Sequence, residues 1–305
     1  MLGRIVEIAQ DGRHVAVERG SLVVTEHGAE VGRVPLDDIA AVIANAHGLT
    51  YSNNLLVALA ERNAAFVVCG ANHMVAAILW PVDAHYQQSA RIDAQLAASK
   101  PLNKRLWQQV VRAKLAQQAA VLEALGESSV LLTALIPKVK SGDPENIEAQ
   151  GARRYWTRAF GEDFRRDRKA DGVNALLNYG YTVLRAATAR AIFANGLHPA
   201  IGLNHSSAGN AMRLVDDLME PFRPIVDAKV YALTKRGLHE VNPESKRALA
   251  KVCYVDLASS AGATPIQSCL YLLAGSLARV YIGERDDLDI ATPATALELQ
   301  ALLHE

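Results

Sequence analysis

The sequence predicts an α+β protein in which a small β-rich N-terminal domain with one helix (1–82) precedes a larger all-α domain (83–305). Up to about residue 80, hydrophobic residues stand in short, partly alternating β-branched runs separated by glycines, as in strands joined by turns. From Pro81 onward they recur every three or four residues, as on helix faces. The length of 305 residues also fits roughly two domains.

In the N-terminal domain, seven stretches predict strands and one predicts a helix. The helix is expected over YSNNLLVALAERN (51–63), where the Ser52 hydroxyl can cap the first turn by accepting from an otherwise unpaired N–H. The strands are expected at RIVEIA (4–9), HVAVER (14–19), SLVVTE (21–26), VGRVPL (31–36), DDIAAVIAN (37–45), AAFVVCG (64–70) and VAAILW (75–80).

The rest of the chain predicts helices throughout. One begins after Asp143, a good N-cap, with Pro144 in the first helical position. Another covers about seven turns and ends at Gly196, which suits the left-handed conformation that follows a helix. Further helices are expected over 90–100, 103–125, 222–236 and 244–279.

Composition narrows the class of protein. The 32 Lys and Arg balance the 32 Asp and Glu, so any polyanionic partner must be held by local basic patches. The three cysteines are far apart in sequence, which is neither a disulfide framework nor a CxxC metal pattern, and this favours a reducing cytoplasm. The N-terminus lacks a signal-peptide pattern, and Arg185 and Arg190 interrupt the most apolar stretch, so no membrane span is expected.

A cluster of acids within IGLNHSSAGNAMRLVDDLMEPFRP (201–224) allows two interpretations. Asp216 and Glu220 lie opposite the apolar face of a predicted helix over 208–222, with Asp217 at the edge, and charged surface faces are the common case. However, like charges at this spacing near a helix C-terminus destabilise the helix by a few tenths of a kcal/mol. A bound divalent cation would reverse that cost, and the residues alone leave both interpretations open.

His205 can belong to such a metal site only if the chain turns. In one straight helix, His205 and Glu220 would be roughly 22 Å apart. The metal hypothesis therefore requires a turn at 206–209 and a helix that begins near 208–211, so that His205 folds back. One imidazole among carboxylates suits manganese or magnesium better than zinc.

Three separated motifs resemble the CRISPR-associated spacer integrase family, most closely its type II form. They are DPENIEAQGARRYW, DGVNALLNYGY and GLHPAIGLNHSSAGNAMRLVDDLMEPFRPIVD, and they stand in the family's order. The stretches VPLDDIAAVIAN, ALAERNAAFVVCG and LWQQVVRAKLAQQ fit the same family. The resemblance covers about residues 2–285 and implies a β-sandwich-like N-terminal dimerisation domain followed by a helical catalytic domain.

The resemblance also implies the site. Carried over by motif, Glu148, His205 and Glu220 are the catalytic residues that bind a divalent metal, Mg²⁺ or Mn²⁺. Asp217 is then a supporting acid, and Asp216 matches no motif position and is interpreted as a surface charge. Without the motif, an acid such as Glu148 in a first helical turn needs no function, because the helix dipole favours it.

The reaction that the resemblance implies is DNA integration: 3′-hydroxyl ends of a short foreign duplex are joined to a repeat array by transesterification. The expected partners are double-stranded DNA, a second copy of the chain, and a small subunit that bridges two dimers. Because the DNA supplies the nucleophile, the absence of G-x-S-x-G and Walker motifs is consistent with this chemistry. His205 could alternatively act as a proton shuttle.

Several basic residues are candidate DNA contacts. Arg153 and Arg154 carry the most weight, because they follow Glu148 by one to two helical turns. Polar residues of the 174–181 segment are expected to pair within the protein instead. The other basic candidates are Lys104, Arg105, Arg112, Lys114, Arg165, Arg166, Arg168 and Lys169.

Two rival functions remain at this level. A free-standing metal-dependent nuclease would use the same acids and histidine but would release shortened fragments instead of joined strands. A non-catalytic DNA-binding scaffold would tolerate the loss of Glu148 or Glu220.

Overall fold

Strands and helices separate along the chain largely as the hydrophobic periodicity predicts. The structure is a computed structural model that describes residues 3–70, 75–79, 81–82 and 84–304. Its strands are β1 (Arg4–Ile8), β2 (His14–Glu18), β3 (Ser21–Glu26), β4 (Ala29–Pro35), β5 (Ile39–Ala44), β6 (Thr50–Tyr51), β7 (Ala65–Cys69), β8 (Val75–Leu79), β9 (Asp256–Ser259) and β10 (Gly262–Pro265).

The helices occupy most of the remaining chain. They are α1 (Asn53–Ala60), α2 (Gln88–Ala97), α3 (Lys100–Ala124), α4 (Val130–Thr133), α5 (Ile147–Phe160), α6 (Val173–Ala194), α7 (Arg213–Leu218), α8 (Arg223–Lys235), α9 (Pro243–Ala250), α10 (Ile266–Tyr281) and α11 (Ala296–His304). Short 3-10 turns at Leu36–Asp38, Ile136–Lys138, Glu220–Phe222 and Lys251–Tyr254 connect some of them.

The N-terminal strands form two sheets. Among the described residues, one sheet has the order β1-β5-β7-β8 and the other β4-β3-β2-β6. The seven predicted strands are confirmed with small shifts at their ends, and residue 80 of the last one lies outside the described residues. The Ser52 cap is also confirmed, because its hydroxyl accepts from the Leu55 N–H at 3.3 Å.

The first sheet is covered on both faces, which explains why all six residues of β5 are buried. Val42 packs with Val15 and Leu22 of the second sheet, whereas its neighbours Ala41 and Ile43 pack into the core of the helical region. Alternate side chains of a strand point to opposite faces, so β5 joins two hydrophobic cores. The division of the chain into two domains near residue 82 stays a prediction.

The region after residue 84 is helical, but it is not all-α as predicted. The expected helix over 244–279 is instead α9, a 3-10 turn, the antiparallel β9–β10 hairpin and α10. The spacing of apolar residues over 244–279 does not distinguish a helix from a short hairpin, because both can bury apolar residues at similar intervals. The long helix α6 ends as predicted, with Gly196 at a positive φ of 66°.

Two predicted helix starts were wrong. α5 begins at Ile147, not at Pro144, because Asp143 and Asn146 both adopt positive φ and hold the chain out of the helix. Helix 208–222 is shortened to α7, and the prolines at 221 and 224 place a 3-10 turn between α7 and α8.

Two further expectations from composition can be compared with the structure. The three cysteines are free thiols, as predicted. Among the described residues, no helix is both long and apolar enough to cross a membrane.

Packing around α4 gives a test of the core that supports α5. Leu132 is 1% exposed, and its neighbour Leu131 is 50% exposed. Leu132→Ala should lower the free energy of unfolding by about 2–5 kcal/mol through a lost side chain and a residual cavity. Leu131→Ala should change it by less than about 0.5 kcal/mol. Urea denaturation measures both, and equal effects would contradict this packing.

Candidate active site

An ammonium group lies between two carboxylates at the centre of the helical region. Lys114 Nζ is 2.6 Å from Glu148 Oε1 and 2.5 Å from Glu220 Oε2. The side chains of Lys114 and Glu220 are 11% and 5% exposed, and that of Glu148 is 25% exposed. Two residues predicted as catalytic are therefore brought together around one cation position.

Three separate elements supply this cluster. Lys114 comes from α3, Glu148 from the first turn of α5, and Glu220 from the 3-10 turn after α7. Asp143 fixes the start of α5, because its carboxylate accepts from the N–H groups of Ile147 and Glu148 at 2.8 and 2.9 Å. Asp143 therefore caps the helix as predicted, but it does so from four residues before the first helical residue, Ile147.

Arg223 adds a second cation to the cluster. Its Nε lies 3.1 Å from Glu220 Oε1. Burial alone would raise the pKa of Glu220, but the charges of Arg223 and Lys114 outweigh it, and the pKa is lowered. Burial would likewise lower the pKa of Lys114, yet the charges of Glu220 and Glu148 raise it. Glu220 and Lys114 therefore hold each other in their charged forms.

His205 folds back along α7, as the metal hypothesis requires. Its Nδ1 is 2.6 Å from Asp217 Oδ1. Asp217 is fully buried and also accepts from the backbone N–H groups of Leu203, Asn204 and His205 at 2.7, 3.2 and 3.3 Å. This carboxylate therefore fixes both the loop and the imidazole, and it engages only one of the two ring nitrogens.

A glycine makes this fold-back possible. A Cβ at Gly202 would stand 2.7 Å from Asp217 Oδ2 and 2.9 Å from the carbonyl oxygen of His205. Real Cβ atoms do not approach that closely, so a side chain at Gly202 would push the loop away from Asp217.

Gln95 of α2 holds the beginning of the same loop. Its side-chain nitrogen donates to the carbonyl oxygens of His198 and Ile201 at 3.1 and 2.8 Å, and its oxygen accepts from the His198 N–H at 2.9 Å. Gln95 is 2% exposed. Because buried amides are expensive to leave unpaired, these bonds anchor the loop that carries His205.

Two interpretations of the acidic helix were wrong. Asp216 is not a surface charge: Arg185 Nε is 3.0 Å from its Oδ1, and Asn210 donates to its Oδ2 at 2.7 Å. The polar face of the helix is not solvated either, because Asp217 and Glu220 are almost fully buried. α6 and α3 cover this face, which a helical wheel of one segment cannot show.

Behind the cluster lies a buried polar network. Asp227 accepts a hydrogen bond from Tyr181 OH, and the guanidinium groups of Arg166 and Arg223 lie 5.5 and 5.0 Å from the Tyr181 ring. Burial raises the pKa of Asp227 to about 7, although the bond from Tyr181 and the charge of Arg223 act against it. This network supports Arg223, and through it Glu220.

The 174–181 segment pairs within the protein, as predicted. Arg166 donates to the side-chain oxygens of Asn174 and Asn178 at 2.9 and 2.6 Å. Tyr179 OH donates to Glu7 of β1. These bonds connect α6 to the preceding loop and to the N-terminal sheet.

The other basic residues predicted to contact DNA differ in solvent exposure and in whether they already donate hydrogen bonds within the protein. Arg153, Arg154, Lys104 and Lys169 are exposed, and Arg165 is exposed but donates to the Glu162 carbonyl at 2.6 Å. Among the remaining candidates, Arg105 donates to the Asp286 carbonyl, Arg112 donates to the Val139 carbonyl, and Arg168 is exposed.

Sequence reasoning considered Lys114 only as a DNA contact and missed its pairing with the acids. A signal was present, because Lys114 follows Trp107 by two helical turns and so shares its apolar face of α3. A lysine on a buried face needs a buried partner. Arg223 and Asp227 were not identified as site residues at all.

The donor set is suited to a divalent metal. Glu220 Oε2 is buried and is paired with the Lys114 ammonium at 2.5 Å. Buried charges of this kind are paired or coordinate metals. Glu148, Glu220 and the free nitrogen of His205 offer two carboxylates and an imidazole. Among the described residues, however, no three acidic, histidine or cysteine side chains already stand close enough to hold an ion.

The contact between His205 and Asp217 predicts a raised pKa for the His205 imidazole, which can be measured. The hydrogen bond to Asp217 raises the pKa of His205 above 6.5, against the effect of burial. Asp217→Asn should lower this pKa, because an amide carries no negative charge. An NMR titration of the metal-free protein measures it. Asp216→Asn should lower it less, and an equal effect of the two variants would contradict the assigned contact.

The buried Asp227 predicts a dependence of stability on pH. Its folded pKa of about 7 exceeds the ordinary value of 3.8, so between these values the native state holds a proton that the unfolded chain releases. Stability from this group therefore falls as pH rises through that window. Relative to wild type, Asp227→Asn should gain stability from pH 4 to pH 7 and then level off. Urea denaturation across this range checks the trend, and a constant difference would refute it.

The comparisons with known proteins agree on one family. The family described as CRISPR associated protein Cas1 matches residues 6–250. The CRISPR-associated endonuclease Cas1 of Neisseria meningitidis is 37% identical over 82% of this chain and 83% of its own length. A Cas1 endonuclease of Thermus thermophilus is 31% identical over 76% of each chain.

Solved structures show the same fold at lower identity. A casposase bound to integration product superposes with a TM-score of 0.79 at 20% identity, over 94% of this chain and 92% of its own. A Cas1 protein from Thermotoga maritima gives 0.76 at 15% identity, over 93% and 99%. The predicted family resemblance is thereby confirmed, and the curated relatives of the chain are CRISPR-associated endonucleases. The chain belongs to the CRISPR-associated Cas1 family.

Proposed function

We propose that this chain joins the 3′-hydroxyl ends of a short foreign DNA duplex to a CRISPR repeat array by metal-dependent transesterification. The observation that carries the proposal is the convergence of Glu220, which is buried, and Glu148, which is 25% exposed, on one cation position beside an oriented His205. The family supports the class of reaction, and the buried ionised cluster supports these residues as its site.

The proposed metal is Mg²⁺ or Mn²⁺, held by Glu148, His205 and Glu220. When bound, such an ion stabilises the negative charge that builds on a phosphodiester under attack. Asp217 keeps Nδ1 of His205 engaged, so that Nε2 is the nitrogen presented as ligand, as is common for metal-binding histidines. If His205 is instead a proton shuttle, the same contact leaves Nε2 to carry the proton.

Arg223 and Tyr181 have positioning roles in this proposal. Arg223 holds Oε1 of Glu220 and is itself packed on the Tyr181 ring, which Asp227 anchors. The carboxylate therefore has a fixed direction before DNA arrives, and such preorganisation avoids reorganisation during the reaction.

We further propose that Arg153 and Arg154, exposed on the helix that carries Glu148, contact DNA phosphates near the reacting bond. Lys104, Arg165 and Lys169 are also exposed, and we propose them as further DNA contacts. Arg166, which donates to Asn174 and Asn178, has a structural role in this proposal and is not one of the DNA contacts.

The proposed assembly is a homodimer formed through a sandwich-like N-terminal domain (1–82), with a small partner subunit between two dimers. One solved complex of similar fold is described as Cas6-RT-Cas1–Cas2, with a TM-score of 0.74. Pairing two near-neutral subunits could form a continuous basic track. The free thiols suit the reducing cytoplasm in which the array DNA lies.

An integration assay tests the proposal. The purified protein, with and without its small partner, is given a short duplex with free 3′-hydroxyls, a supercoiled acceptor and Mn²⁺. Joined product should form and should disappear when the metal is chelated. Shortened fragments without joined product would favour the free-standing nuclease.

Isosteric changes at the acids test the assignment of the site. Glu148→Gln and Glu220→Gln should each reduce strand joining by about 10²-fold or more, while duplex binding persists. Glu127→Gln is the matched control, since this exposed acid pairs with Arg158 at 3.8 Å. A Glu220→Gln protein that joins DNA normally would refute the site and favour a scaffold role.

A further inference from the structure

The Lys114 ammonium lies between the two acids that would hold a divalent cation. Its Nζ contacts Glu148 Oε1 and Glu220 Oε2 at nearly equal distances, 2.6 and 2.5 Å. Arg223 takes the other oxygen of Glu220. A lysine on the surface would form one loose ion pair, whereas this buried one is shared between two carboxylates from different elements.

The charges of this cluster already balance. Glu148 and Glu220 contribute two negative charges, and Lys114 and Arg223 contribute two positive ones. Even with the buried Asp217 on His205 counted, a divalent ion added here would leave an excess positive charge, which is costly where water is scarce. Metal can enter only if a cation leaves the acids or if an anion arrives with it.

Lys114 is the cation that can leave. Arg223 is packed on Tyr181, whereas Lys114 has a flexible four-carbon chain with a compact charge at its end. It also lines a cavity of about 180 Å³ beside Arg166, Arg185 and Arg223. This cavity gives the ammonium room to move, and although Asp216 and Asp227 also line it, cations outnumber acids there, which suits a phosphate.

Resting on the proposed function, we infer that Lys114 competes with the divalent metal for Glu148 and Glu220 in the DNA-free protein. When DNA binds, the ammonium moves to a backbone phosphate and the metal takes its place between the acids. The protein thus binds its metal weakly alone and strongly together with DNA. Lys114 acts as a positioning residue that prevents a fully assembled metal site without substrate.

Direct Mn²⁺ binding tests this inference without any strand joining. Free Mn²⁺ is measured by electron paramagnetic resonance during titration of metal-stripped protein in the absence of DNA. Lys114→Met should bind Mn²⁺ about tenfold or more tightly than wild type, within the usual range of coupling between sites. Lys100→Met, an exposed lysine of the same helix, should match wild type. Equal or weaker binding by Lys114→Met would overturn the inference.

A second measurement uses the wild-type protein, so it does not depend on whether Lys114→Met folds. A short duplex should raise the Mn²⁺ affinity of wild type by about 5- to 150-fold. An affinity that is the same with and without DNA would overturn the inference. Failure of the integration assay would overturn the proposed function and leave these affinities unchanged, so the two failures are distinguishable.

Discussion

Two carboxylates on different elements, the buried Glu220 and the partly exposed Glu148, constrain how the helices around them pack. An unpaired buried ion costs several kcal/mol, so α5 and the turn at Glu220–Phe222 can approach each other only if α3 brings a cation between them. Lys114 meets this requirement. The mutual position of three elements therefore depends on one ion cluster, and the cluster in turn depends on the apolar packing that excludes water.

The acids next to this cluster are likewise held by fixed partners. Asp217 is satisfied by three backbone N–H groups and His205, and Asp216 is satisfied by Arg185 and Asn210. Charged groups with fixed partners cannot rotate freely, so the acids have defined directions before any ligand binds. A fold that tolerates this much buried charge must gain its stability elsewhere. The two hydrophobic cores that meet at β5 supply it.

Local signals predicted much of the fold. Period-two runs identified the N-terminal strands, Ser52 marked the start of α1, and Gly196 marked the end of α6. Capping residues and hydrophobic periodicity failed to predict two features, the start of α5 and the β9–β10 hairpin. Both depend on backbone conformations that residue type alone does not determine. The positive φ values at Asp143 and Asn146 delay α5. The β9–β10 hairpin interrupts a periodic stretch that looks helical in one dimension.

The sequence by itself determined the order of strands and helices, the family, and the identity of Glu148, His205 and Glu220 as candidates. Under the metal hypothesis, helix geometry also required His205 to fold back toward Glu220. Only the tertiary structure decided that the acidic face is buried and that Lys114 pairs with residues 34 and 106 positions away. The physical reason is that a helical wheel defines the faces of one helix, whereas burial and charge pairing depend on which neighbour covers each face.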